Sequence, residues 1–191
     1  MNQIATKQKP ITQVVTGIVR LNYVNVFEPR TQDGQRPRYS VTILIPKSDQ
    51  VTMDKIKQAI DTAKQIDIWR WGGKIPTDLK DPVHDGDGQK PNGGEYGEEC
   101  MQCNVINASS KFQPGIVDQN LIRITDRSEV YSGIYARVVV RFFPYNNENK
   151  GIGCELINVQ KIADGEPLGG RNKPEDDFND GADFGSKDVL R

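Results

Sequence analysis

The sequence predicts a mainly β domain: five or six strands in a small antiparallel barrel, with one helix and a disordered acidic C-terminal tail. Three observations carry this. Several separate stretches alternate apolar and polar residues or are rich in β-branched and aromatic side chains, as half-buried strands require. One stretch, residues 51–66, repeats its apolar residues at helical spacing instead. From Leu168 onward the chain is rich in Gly, Asp and Asn and loses all periodicity. One helix between early strands fits a closed barrel better than a parallel α/β sheet.

Taken in order, residues 1–11 read as a flexible polar start, 12–168 as the folded domain and 169–191 as the tail. Residues 13–27, QVVTGIVRLNYVNVF, predict one long strand, with Gly17 marking a bend. Asp33-Gly34 predicts a hairpin turn into a second strand, residues 38–45, where Tyr39, Val41, Ile43 and Ile45 share one face and Arg38, Ser40 and Thr42 the other. Pro46 ends it. Met53, Ile56, Ile60 and Ala63 form the apolar stripe of the helix, with Ser48 or Asp49 as N-cap. Residues 77–99 are a long polar loop, of a length that is usually functional or mobile. Strands resume at 103–112, with a short one at 121–125. The strongest strand is 131–143, with Ala136, Val138, Val140 and Phe142 inward, and the last is 152–162. In the same parity, Tyr23, Tyr39 and Phe142 fall in core phase.

The chain of 191 residues carries 25 Lys and Arg against 26 Asp and Glu, a net charge of −1. The near-zero total conceals an asymmetry. Residues 161–191 are net −3 and the remainder net +2, a mildly basic body with an acidic end. No apolar run approaches the length that spans a bilayer. The first ten residues lack the apolar segment of a secretory signal. Three cysteines do not make a disulfide framework. The expectation is a soluble intracellular protein with reduced thiols.

Signals of catalysis are sparse. His84 is the single histidine, so a His-based triad has little to draw on, and it sits in the polar loop. DGDG (85–88) lacks the acidic spacing of a calcium loop, and GDGQKPNGG lacks the Gly-Lys-Ser/Thr of a phosphate loop. His84, Cys100, Cys103 and Cys154 are a possible zinc set, but the thiols read as structural. No metal or cofactor is expected. An enzyme alternative is a metal-dependent nuclease on Asp85, Asp87, Glu98 and Glu99.

Binding signals are stronger. A single strand of nucleic acid is held by cations for its phosphates and aromatic faces for its bases. The sequence interleaves the two: Arg70 between Trp69 and Trp71, then Lys74, and Arg137 and Arg141 in strand phase with Tyr135. Phosphates are assigned to Arg20, Arg38, Lys74, Lys111, Arg137 and Arg141, and stacked bases to Trp69, Trp71, Phe112 and Tyr135. The tail segment PEDDFNDGADF combines Glu175, Asp176, Asp177, Asp180 and Asp183 with Phe178 and Phe184. Mere solubility does not call for those phenylalanines, so the tail is assigned to partner docking. An alternative is a replication-protein interaction adaptor with weak DNA affinity of its own.

The segment VYSGIYARVVVRFFPYNNENKGIGCELINVQKIADGEPLGG (130–170) resembles a phage family of single-stranded DNA-binding proteins with an OB-fold. The resemblance rests on Tyr131 and Gly133, Lys150-Gly151, Asn158 to Lys161 and Asp164 to Leu168, with INASSKFQPGIVD (106–118) before them. It implies binding of single-stranded DNA without sequence preference in phage replication, recombination and repair, in the host-cell cytoplasm. It also implies an acidic, Phe-containing C-terminus that contacts polymerase and helicase-primase. It leaves homo-oligomerisation open.

Overall fold

The computed structural model describes residues 12–31 and 36–169. The proposed flexible start (1–11) and acidic tail (all but Gly169) lie outside these residues. Eight strands and one α-helix follow in the order β1 (Gln13–Val15), β2 (Val19–Arg30), β3 (Arg38–Pro46), α1 (Gln50–Ile66), β4 (Val83–Asp85), β5 (Cys103–Ser110), β6 (Gly115–Val117), β7 (Tyr135–Asn146) and β8 (Lys150–Ala163).

Five of them close a ring. β2 pairs with β3 and β3 with β5, both antiparallel. β5 meets β8 in parallel at Ser109 and Glu155, β8 pairs antiparallel with β7 over almost its whole length, and β7 returns to β2 at Val19–Ala136 and Arg20–Tyr135. This is the five-stranded OB-fold barrel. The alternating strands alone predict a wholly antiparallel barrel. A ring with an odd number of strands cannot alternate direction all the way round, so one neighbour pair must be parallel. β6 adds a second parallel pairing, on β8.

The ring interior is apolar, with Val19, Leu21, Ile43, Val138, Phe142 and Leu156 almost fully buried. The expected inward face of β7 is the observed one. Met53, Ile56, Ile60 and Ala63 of α1 join the same core. Asp49 is the N-cap and accepts from the Thr52 amide at 3.0 Å. The expected bend at Gly17 separates β1 from β2, and the Gly17 amide donates to Thr52 Oγ1 at 2.8 Å, which docks the helix start on the bend.

Two expectations shift. The long loop contributes to the wall: β4 pairs with β5 at Asn104–Ile106, and Lys80 exchanges backbone hydrogen bonds with Lys150 and Ile152 of β8. A polar stretch read as loop thus fills the seam between β5 and β8, whose own pairing is brief. The short strand lies at Gly115–Val117 instead of 121–125, with a bridge between Val117 and Arg123. Its pairing with β8 is tertiary and leaves no local pattern. Among the described residues no helix is long and apolar enough to cross a membrane.

The Asp-Gly-Glu-Pro-Leu motif forms a strap over the outside of the barrel. Arg20 donates to the carbonyls of Gly133 (3.3 Å) and Glu166 (2.7 Å). Tyr131 donates to the Gly165 carbonyl (2.9 Å), and the Leu168 amide to Ser132 (2.8 Å). Gly133 has φ +121°, and a Cβ there would collide with the Glu166 carbonyl. Glycine is required where strand and strap cross.

Candidate nucleic-acid interface

In OB-folds, oligonucleotides lie across the outward face of the second and third barrel strands, between the loops that join strands one to two and four to five. Here those strands are β3 and β5. Their outward side chains form polar rungs continued by β2: Asn25, Ser40 and Ser109 in one, Asn22, Thr42 and Asn107 in the next. Asn25 donates to Ser40 Oγ at 3.3 Å and Thr42 Oγ1 to Asn107 Oδ1 at 2.7 Å. A groove of about 600 Å³ runs over these rungs, and Arg30, Arg36 and Arg38 also line it. Arg38 Nε is buried there without a hydrogen-bond partner among the described residues. Such a donor costs about 1–3 kcal/mol when left unmet, and a phosphate oxygen is the kind of acceptor that relieves it.

Tyr23 lines this groove and is 59% exposed, although the odd-residue parity of Val19 and Leu21 places it in the core. The cause is a bulge. The β2–β3 register shifts between Asn22 and Asn25, so Asn22 and Tyr23 both lie on the outward side and the inward phase passes from Leu21 to Val24 and Val26. Tyr23 takes φ +47°, a left-handed conformation that costs a tyrosine about 1–2 kcal/mol. Its neighbours hold it there: its amide donates to Asn22 Oδ1 (2.8 Å), its carbonyl accepts from Asn25 Nδ2 (2.9 Å), and the Val24 amide donates to Ser132 Oγ (3.2 Å). A flat aromatic face is thereby fixed in the wall of the groove that Arg30, Arg36 and Arg38 also line. The signal available in the sequence was Asn-Tyr-Val-Asn: asparagine is depleted in strands and bonds readily to its own backbone.

The other expected site residues do not form one surface. Arg38 lies in the groove. Arg20 and Tyr135 are cross-strand partners beneath the strap, with the guanidinium 5.9 Å from the ring centre. Arg137 and Arg141 point outward from β7, which neighbours β2 and β8 in the ring and not β3 or β5. Arg141 is paired with Glu155, and Arg137 donates to the Thr16 carbonyl. Trp69 is 67% exposed, with Arg70 4.9 Å from its ring centre, beside Phe143 and Asn146 of β7. Lys74, Lys111 and Phe112 are exposed, Phe112 at 78%.

Trp71 is a correction. It is 7% exposed, packs in the main core and donates from Nε1 to the Tyr145 carbonyl (3.3 Å), so its face is closed to a base. Residues 68–71 form a single 3-10 turn, which sends the two tryptophans to opposite environments. Trp71→Ala is expected to cost about 3–5 kcal/mol in urea unfolding, and Trp69→Ala less than about 0.5 kcal/mol.

The alternative chemistries meet specific obstacles. Cys154 is buried in the barrel interior, whereas Cys100 packs with Leu44 and Val105 on its outer side, so the possible zinc ligands are not brought together. Burial pushes the Cys100 thiol up to about 11 and raises Cys103 and Cys154 as well, away from the thiolate that metals and redox chemistry need. Asp85 and Asp87 both pair with Lys47, at 2.6 and 2.7 Å. Its ammonium holds both carboxyls below their ordinary range and is itself raised by them. Glu99 accepts from Asn22 Nδ2 at 3.1 Å. These acids fasten the long loop to the barrel.

Comparison with known proteins places the chain in a family and supports the fold. The sequence model of a family described as Enterobacter phage Enc34, ssDNA-binding protein, matches residues 12–189. The chain belongs to this Enc34 family. Protein p50 of Acyrthosiphon pisum secondary endosymbiont phage 1 is 30% identical over 174 residues, 85% of this chain and 90% of that one. The bacteriophage Enc34 single-stranded DNA-binding protein, solved in complex with single-stranded DNA, has a TM-score of 0.69 at 27% identity, covering 83% of this chain and 90% of that one. The single-stranded DNA-binding protein gp2.5 of bacteriophage T7 has a TM-score of 0.58 at 15% identity, covering 91% and 96%, and speaks for the fold alone.

Proposed function

We propose that this chain binds single-stranded DNA without sequence preference, in the groove over β2, β3 and β5, as a binding protein and not as an enzyme. One observation carries the reading: an exposed tyrosine in a costly backbone conformation, fixed in the wall of a groove that three arginines also line. Aromatic faces accept any base, and arginines accept phosphates, so sequence indifference follows from the chemistry. Membership of the Enc34 family and the solved relative bound to single-stranded DNA support it.

The biological setting is phage DNA replication, recombination and repair in the host-cell cytoplasm. The acidic segment with Phe178 and Phe184 lies outside the described residues. Its charge and aromatics support the reading that it contacts basic replication proteins such as polymerase and helicase-primase, and removal of residues 172–191 is expected to lose those partners while DNA affinity holds or rises. The expected binding result is tight association with fluorescein-labelled oligothymidine in an anisotropy titration, weakening steeply between 50 and 200 mM salt. Oligodeoxycytidine should bind comparably and duplex of the same length more weakly. Equal affinity for duplex, or a flat salt response, contradicts the reading.

A further inference from the structure

We propose that the hairpin at residues 89–95 is an arm that holds a single strand against the barrel and bars a duplex, with Lys90 and Tyr96 as a second contact station beyond Tyr23. This rests on the groove being a single-strand site.

The groove does not end at Tyr23. A second hollow of about 260 Å³ continues from it beneath residues 90–97. Tyr23, Thr42 and Asn107 line both hollows, so a strand stacked on Tyr23 has a path onward under the arm. Lys90 Nζ stands over the Tyr96 ring, 5.6 Å from its centre, and both side chains line the hollow, a cation and an aromatic within reach of one nucleotide.

The arm is built rather than loose. Gln89 and Glu95 pair antiparallel. The Lys90 amide donates to the Gly94 carbonyl (3.0 Å) and the Gly93 amide to the Lys90 carbonyl (2.9 Å). Gly93 and Gly94 both have φ +85°, which glycine adopts without strain. Both flanks are fastened to the barrel. Asp87 accepts from Lys47 Nζ (2.7 Å) and from the Gln102 amide (2.8 Å). The Gly86 amide donates to the Cys103 carbonyl (2.9 Å), and Tyr96 packs with Leu44, Cys100 and Val105. The hollow under this fixed overhang is on the scale of one nucleotide. A base pair with its two backbones does not fit there, so the arm discriminates by clearance.

The test replaces Lys90–Gly94 with an Asn-Gly turn, leaving Gln89 and Glu95 in place, and compares it with Lys90→Ala and the unaltered protein by anisotropy. The shortened arm is expected to lose about tenfold in oligothymidine affinity. The shortest oligomer that it binds should also change, and its preference over duplex should narrow. Lys90→Ala, which keeps the arm, is expected to flatten the slope of log affinity against log salt by about 0.7. A shortened-arm protein that melts normally and keeps wild-type affinity and wild-type preference overturns the proposal. So does an unchanged salt slope for Lys90→Ala. Failure of the unaltered protein to bind oligothymidine would instead remove the groove reading itself.

Discussion

Replacing Tyr23 with glycine is expected to weaken oligothymidine binding by about 5- to 150-fold while making the protein more stable. The two effects have separate origins. A base stacked on an aromatic side chain contributes ~1–3 kcal/mol, which is that range of fold-change in affinity. The stability gain comes from φ +47° at Tyr23: glycine relieves the left-handed penalty of about 1–2 kcal/mol, offset in part by the greater freedom of glycine in the unfolded chain. Opposite signs in binding and stability mark a residue kept for function. Tyr23→Phe is expected to bind nearly as the wild type, because the face and not the hydroxyl makes the contact. Urea unfolding and anisotropy on the same three proteins check this. Wild-type affinity in Tyr23→Gly would show that no base stacks there.

The triple replacement of Arg30, Arg36 and Arg38 by glutamine is expected to flatten the salt dependence by about 2 and to cost about a hundredfold in affinity at 0.1 M salt. Each phosphate neutralised on a single strand contributes roughly 0.7 to the slope of log affinity against log salt, and three lost contacts account for the change. The groove arginines differ from others on the surface. Arg127 is paired with Glu28 and Arg141 with Glu155. Arg30 and Arg38 instead sit opposite each other across β2 and β3, a like-charge pair that is unfavourable without an anion. The triple variant should therefore unfold no more easily than the wild type. Titrations at four salt concentrations measure the slope, and a slope unchanged by the replacement would place the phosphates elsewhere.

Much of the fold was legible in the sequence because alternation and helical spacing are local. The helix, the inward face of β7 and the bend at Gly17 followed from that. The barrel wall formed by β4 was not legible, since Val83–Asp85 is a strand by virtue of the partner that β5 offers and not by its own pattern. The site was less legible than the fold. Parity along β2 holds until Asn22, and one inserted residue then reverses it. Tyr23 consequently lines the groove and does not enter the expected core, and no local pattern sets Arg30 and Arg36 apart from other surface arginines. The adjacent Trp69 and Trp71 looked equivalent in sequence, yet a short 3-10 turn exposes one and buries the other. The arginines of β7 alternated as expected but belong to a different side of the ring.

The central claim is that the strand lies over β2, β3 and β5 and not along β7. Photocrosslinking with oligothymidine that carries 5-iododeoxyuridine, followed by peptide mass spectrometry, addresses it directly. The expected product joins the DNA to the peptide containing Tyr23, with a second adduct at Tyr96. Crosslinks confined to Trp69, Tyr135 or Phe143 would contradict the account.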